Sequence, residues 1–159
     1  MSTLATLAVG APAPDFTATS DAGTPLSLAD LRGRPVVLYF YPKDDTPSCT
    51  AEACGFRDEF ARFESVGAAV IGVSTDGVKS HARFREKFAL PFPLVSDPDH
   101  AIADAYGVWQ EKSMYGRKYM GVVRTTFLID RDGRIARVWE KVRSKGHADE
   151  VAQALVSLQ

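Results

Sequence analysis

The chain has 159 residues, 45% of them hydrophobic, which suits one domain with a real core and gives the expectation of a single domain over residues 1–159. Its 19 basic and 20 acidic residues leave a formal charge of −1, so bulk electrostatics offers nothing to a nucleic acid or an anionic membrane, and neither is expected as a partner. No segment reaches the length of a membrane span, and Met1 to Pro14 lacks the charged-then-apolar pattern of a secretion signal, so the expectation is a soluble cytoplasmic protein.

Taken in chain order, Asp15 to Leu31 reads as a β-rich appendage ahead of the core. Val36 to Tyr41 is an apolar β-type run and predicts a buried central strand, followed by a long helix from Pro47 to about Glu64. A second buried strand falls at Ala68 to Ser74, then a helix at Lys79 to Phe88 and a shorter one at Ala101 to Tyr106. The following region shows little regular pattern; its aromatics Tyr106, Trp109, Tyr115 and Tyr119 either line a pocket or cap the core. Thr125 to Ile129 and Ile135 to Trp139 read as neighbouring strands across the turn Asp130-Arg131-Asp132-Gly133, and Ala148 to Leu158 as a last helix. Strands alternating with helices and ending in a hairpin and a helix describe an α/β protein. The expected architecture is a mixed central sheet covered by helices on both faces, the layout of a thioredoxin-like domain.

Only two cysteines exist, Cys49 and Cys54, and they stand where the first core strand gives way to the first long helix. Thr46 suits the N-cap and Pro47 the first helical position, which places Cys49 in the first turn, where the helix dipole favours a thiolate. Cys49 shares a helix face with Ala53, Phe56, Phe60 and Phe63, so it points into shelter, whereas Cys54 is rotated from it by about 140°. Residues five apart on an ideal helix have Cα atoms about 8.7 Å apart, beyond the roughly 7 Å that a disulfide spans. Any bond between these two thiols therefore requires the turn between them to unwind, and Gly55 beside it weakens the helix by about 1 kcal/mol. Inert, core-filling cysteines are the alternative reading, but filler needs neither a helix start nor a polar turn before it.

Other sites carry less. His81, His100 and His147 are scattered without ligand spacing, and the cysteines do not form a C-x-x-C half-site, so neither a metal nor another cofactor is expected. There is no glycine-rich phosphate loop, and Asp130-x-Asp132-Gly133 reads as a hairpin turn rather than a calcium loop. Arg57 and Arg117 are candidate partners for Cys49, but solvated surface arginines are the commoner case.

Pro42-x-x-x-Thr46-x-x-Cys49 resembles the active-site signature of the peroxiredoxins. Tyr39-Phe40-Tyr41-Pro42-Lys43-Asp44, with Cys54 five residues beyond Cys49, resembles the Q-type or bacterioferritin co-migratory subfamily, of the atypical two-cysteine kind. The likeness extends to Gly10-Ala11-Pro12-Ala13-Pro14-Asp15-Phe16, Leu31-Arg32-Gly33, and Arg124-Thr125-Thr126-Phe127-Leu128-Ile129-Asp130. The resemblance implies a thiol-dependent peroxidase acting on hydrogen peroxide and organic hydroperoxides in antioxidant defence. It implies Cys49 as the peroxidatic thiol, Arg124 as the guanidinium that binds thiolate and peroxide, and Thr46 as a hydroxyl for the substrate oxygen. Pro42 would shield the pocket and Glu52 would orient the arginine, although an acid in a first helical turn has a sufficient reason of its own. Cys54 matches the resolving cysteine that would form an intramolecular disulfide with Cys49, an external thiol being the alternative, and thioredoxin or a glutaredoxin-like dithiol would be the reductant. A monomer is implied. Two readings stand beside it: a thioredoxin-like thiol-disulfide oxidoreductase, and a redox sensor.

Overall fold

The computed structural model describes residues 7–158, so the reading of Met1 to Pro14 falls partly outside the described residues. The appendage forms a small antiparallel pair, β1 (Thr17–Thr19) and β2 (Pro25–Ser27), closed by a 3-10 turn at Leu28–Leu31. The central sheet has five strands: β3 (Val36–Phe40), β4 (Ala69–Ser74), β5 (Leu94–Ser96), β8 (Thr125–Ile129) and β9 (Ile135–Trp139), in the order β5-β4-β3-β8-β9. β3, β4 and β5 run parallel, while β8 is antiparallel to β3 and β9 to β8, so the sheet is mixed. A separate hairpin, β6 (Trp109–Met114) and β7 (Arg117–Val122), stands apart from it. The helices are α1 (Pro47–Asp58), α2 (Phe60–Ser65), α3 (Val78–Phe88), α4 (Ala101–Ala105) and α5 (His147–Ser157). None among the described residues is long and apolar enough to cross a membrane.

Every residue of β3 and β8 is buried, because both faces of the sheet are covered and each strand sends alternate side chains into two cores. Val37, Tyr39 and Tyr41 face Phe56, Phe63, Phe84, Phe92, Val151 and Leu155, contributed by α1, α2, α3, α5 and the strand-β5 approach. Val36, Leu38 and Phe40 face the opposite way, onto Ile71, Val73, Phe127, Ile102 and Tyr106. Each such side chain contributes about 1.5–3 kcal/mol of hydrophobic stabilisation. Close approach is tightest at Gly72, opposite Tyr39: a Cβ there would lie 2.9 Å from the Tyr39 ring and 2.9 Å from Leu94, so only glycine lets the tyrosine lie across β4.

The short strand β5 was not expected, and three further features depart from the expected elements. The first helix breaks at Glu59 (φ −96°, ψ 4°) instead of running on to Glu64. The break lets Phe56 and Phe63 both bury fully while Phe60 turns towards Phe92. The patternless region is the β6–β7 hairpin, closed by Tyr115 and Gly116 at φ 52° and 78°, the left-handed pair that a tight two-residue turn demands. Of its aromatics, Tyr106 belongs to the core and donates from its hydroxyl to the Pro14 carbonyl at 2.7 Å. Trp109 stacks on His100, with ring centroids 4.0 Å apart. Tyr115 is 97% exposed at the hairpin tip and does neither job expected of it.

The register of β3 against β8 positions the site. Phe40 pairs with Thr125, so the end of β3, where the chain turns into α1, lies level with the start of β8 and brings Arg124 to the same place.

Candidate active site

α1 begins as its sequence dictates. Thr46 occupies the N-cap with extended backbone (φ −92°, ψ 156°), Pro47 takes the first helical position, and the Thr50 amide donates to the Thr46 carbonyl at 2.8 Å. The Thr46 hydroxyl does not cap the helix as expected. It donates to the Lys43 carbonyl at 3.0 Å and makes no hydrogen bond with the helix amides. Asp45, just before it, has φ 58°, a left-handed conformation that aspartate adopts more readily than most residues.

Cys49 follows in the first turn and is buried. Glu52, three residues on, shares its face of the helix and is only 1% exposed. Arg124 reaches both from the start of β8: Nη2 donates to Cys49 Sγ at 3.2 Å and Nη1 to Glu52 Oε1 at 2.6 Å. The guanidinium is thereby fixed in its plane with one edge on a thiol and the other on a carboxylate. Burial works against the charge of Arg124, but Glu52 and Cys49 outweigh it and hold the guanidinium above its ordinary range. Burial pushes Glu52 up to about 7, with Arg124 opposing, and Glu52 Oε2 has no hydrogen-bond partner among the described residues.

The surroundings are dry and aromatic. Tyr39 stacks on Phe56 with centroids 4.7 Å apart. Its hydroxyl is buried without a partner among the described residues, and burial, then Glu52 and Cys49, hold it well above the usual phenol range, so it stays neutral. His147, at the start of α5, packs edge-on against Phe56 and shares a 2.8 Å hydrogen bond between Nε2 and Thr126 Oγ1. Burial pushes His147 down to about 4. Ser144 donates to the Ser48 carbonyl at 2.8 Å and the Val142 amide to the Arg124 carbonyl at 3.1 Å, tying the approach to α5 to both sides of the site.

A second cation comes from the hairpin. The stem of Lys112 lies over Gly121, where an added Cβ would stand 3.1 Å from it, and Nζ donates to the Val122 carbonyl at 2.9 Å and sits 5.9 Å from the Tyr119 ring centroid. Burial lowers Lys112, Arg124 lowers it further, and Cys49 raises it, so this ammonium lies within the electrostatic reach of the thiol.

Of the residues singled out from sequence, the fold thus brings together Cys49, Glu52 and Arg124, with Thr46 at the head of the same helix and Pro42 half-buried at the start of the turn before it. Cys54 lies half-buried in the same unbroken helix as Cys49, and both thiols are free. The rival arginines go elsewhere: Arg57 donates to the Phe88 carbonyl and to Asp58, and Arg117 is exposed on the hairpin. Tyr39, Lys112 and His147 were given no role at this site from sequence. Tyr39 is indistinguishable there from its apolar neighbours, and Lys112 would have needed the hairpin to be read first.

Comparison with known proteins gives the family. The model of the AhpC/TSA family matches residues 9–138. The chain is 52% identical over 147 residues to a putative peroxiredoxin bcp of Coxiella burnetii, covering 92% of this chain and 97% of that one. It superposes with a TM-score of 0.86 on the bacterioferritin comigratory protein of Xanthomonas campestris, studied for alkyl peroxide reduction, at 42% identity over 89% of this chain and 90% of that one. The TM-score is 0.90 on a mutant of the Xylella fastidiosa PrxQ, at 38% identity over 95% and 96% of the two chains. The chain is a member of the AhpC/TSA family and, within it, a peroxiredoxin of the Bcp/Q type, a thiol peroxidase.

Proposed function

We propose that Cys49 is the thiol that reacts with peroxide and Cys54 the thiol that resolves the product. The observation that carries this reading is the Arg124 guanidinium, which donates to Cys49 Sγ while Glu52 holds its other edge. In this reading the Cys49 thiolate attacks one peroxide oxygen, an S–O bond forms as the O–O bond breaks, and the departing oxygen leaves as water or alcohol after taking a proton. Arg124, kept charged, stabilises the thiolate before attack and the negative charge that develops on the departing oxygen. The Thr46 hydroxyl, whose hydrogen is committed to Lys43, offers lone pairs to the protonated peroxide oxygen. Pro42 keeps water from the mouth of the pocket.

Cys54 then attacks the sulfur of the Cys49 sulfenic acid, forming a disulfide and releasing water. Both residues lie in the continuous helix α1, so the residues between them must leave helical geometry for the sulfurs to meet. Thioredoxin or a glutaredoxin-like dithiol returns the pair to thiols by exchange. The enzyme acts as a monomer and as one domain over residues 1–159. Peroxide consumption coupled to thioredoxin tests the scheme. Wild type turns over, Cys49→Ser is inactive, and Cys54→Ser reduces one equivalent and stops; sustained turnover by Cys54→Ser would contradict it.

A further inference from the structure

Behind the turn that delivers Cys49, a set of buried polar side chains converges on Asp44. Its carboxylate accepts from Tyr41 Oη at 2.6 Å, Ser80 Oγ at 2.8 Å and His81 Nδ1 at 2.8 Å. His81 is fully buried, and its Nε2 lies 3.0 Å from the Val95 carbonyl on β5, so the ring spans from the turn to the sheet. The Asp44 amide donates to Asp76 Oδ2 at 2.8 Å, and that oxygen also accepts from Ser74 Oγ at 2.6 Å. Ligand atoms of Asp44, Asp76 and His81 lie within 4.8 Å of one another. Because these atoms are bonded to one another and to neighbouring hydroxyls and amides, the cluster is a closed hydrogen-bond network rather than a cation site.

None of these hydrogen bonds includes the thiol, yet together they fix the segment that leads to it. Thr46 is tied by its hydroxyl only to Lys43, a bond inside the turn that fixes its shape but not its place in the protein. Asp45 is bonded to Lys87 through an ion pair whose partners are about half exposed, and such pairs contribute little. Asp45 also holds the left-handed conformation that a free chain would relax. What fastens the turn to α3 and to the loop after β4 is the set of bonds on Asp44, and His81 carries the connection on to β5.

We propose that Asp44 and His81 are positioning residues for the peroxide reaction: they clamp the turn Pro42–Thr46, and through it Thr46 and the first turn of α1, into register with Arg124. The proposal rests on the reading of Cys49 as the peroxide-reacting thiol. It has a second consequence for the cycle. Since the clamp grips residues before Thr46, the unwinding that joins Cys49 to Cys54 is confined to the helix beyond it, and the turn remains as the template on which α1 re-forms.

The test compares two reactions of the same thiol. Oxidation of Cys49 by hydrogen peroxide depends on its alignment with Thr46 and Arg124, whereas alkylation by iodoacetamide, followed at a pH high enough to ionise Cys49 in every variant, depends on access alone. His81→Phe fills the space and removes both ring bonds, and Tyr41→Phe, a milder change, removes one donor from Asp44. The expected result is an oxidation rate constant lowered about 10- to 100-fold in His81→Phe, the scale of a misplacement near 1 Å, and by a smaller factor in Tyr41→Phe, with alkylation close to wild type in both. If His81→Phe does not fold, the ratio of the two rates in Tyr41→Phe decides. Unchanged oxidation, or oxidation and alkylation falling in parallel, would overturn the proposal. A parallel Cys49→Ser protein that still consumed peroxide would instead reject the reading of Cys49.

Discussion

The guanidinium of Arg124 binds Cys49 Sγ at 3.2 Å with one nitrogen and Glu52 Oε1 at 2.6 Å with the other, joining residues 75 and 72 positions apart in sequence. A planar fork can do this and a point charge cannot. Replacing Arg124 by alanine should lower the rate constant for peroxide reduction by about 10²- to 10³-fold, the usual loss when a preorganised donor is removed. Arg124→Lys should recover only a small part of it. Stopped-flow measurement of Cys49 oxidation checks both, and full recovery by lysine would mean that charge alone suffices.

Two buried groups beside the site should leave opposite marks on stability. Glu52 is raised from 4.5 to about 7, so the folded protein holds a proton there that the unfolded chain has released. Its contribution is fully present below about pH 4.5 and is lost as pH rises towards 7, by something on the order of 3 kcal/mol. His147 is lowered from 6.5 to about 4, so its contribution is present above about pH 6.5 and is lost as pH falls towards 4. In the shared window the two oppose each other. Denaturant unfolding across pH 4.5–6.5 should therefore show stability rising more steeply with pH in Glu52→Gln than in wild type, and falling with pH in His147→Gln relative to wild type. Identical pH profiles for all three proteins would refute the assignment.

How much of this was legible in the sequence depended on whether neighbours or distant partners set each feature. β3 and β8 were readable because burial on both faces gives them runs of apolar and β-branched residues, and the head of α1 because threonine, proline and the face of Ala53, Phe56 and Phe63 are local signals. The break at Glu59 was not, since it serves the packing of Phe63 on the sheet and of Phe60 on Phe92. The β6–β7 hairpin escaped because most of its residues are exposed on both faces, which removes the alternation that marks a half-buried strand. Arg124 could be picked out only through the likeness of its strand to a known family, because nothing local ties it to Cys49. The pairing of Asp44 with His81 spans 37 positions and left no local trace at all.

Lys112 adds a second cation on the hairpin side of the thiol. Removing it in Lys112→Met should slow oxidation of Cys49 about three- to tenfold near neutral pH at low salt, as expected for the loss of one positive charge in a partly shielded site. Raising the ionic strength should narrow the difference. Oxidation rates measured in both proteins at two salt concentrations check this, and equal rates at low salt would exclude a role for the lysine.

The helix that carries both cysteines should differ between redox states. Thiols five residues apart on α1 cannot bond while the helix is intact, so amide hydrogens of residues 50–55 should exchange faster in the oxidised protein, with β3 and β8 unchanged. Equal protection of that segment in a protein proven to hold the Cys49–Cys54 bond would show that the helix need not open.

The most direct measurement is peptide-mapped mass spectrometry after one equivalent of hydrogen peroxide. The wild type should lose two hydrogens and yield a single peptide pair linked through Cys49 and Cys54, while Cys54→Ser should gain one oxygen, trapped on Cys49. Oxygen found on Cys54 in Cys49→Ser at the same rate, or no Cys49–Cys54 bond in the wild type, would contradict the division of labour between the two thiols.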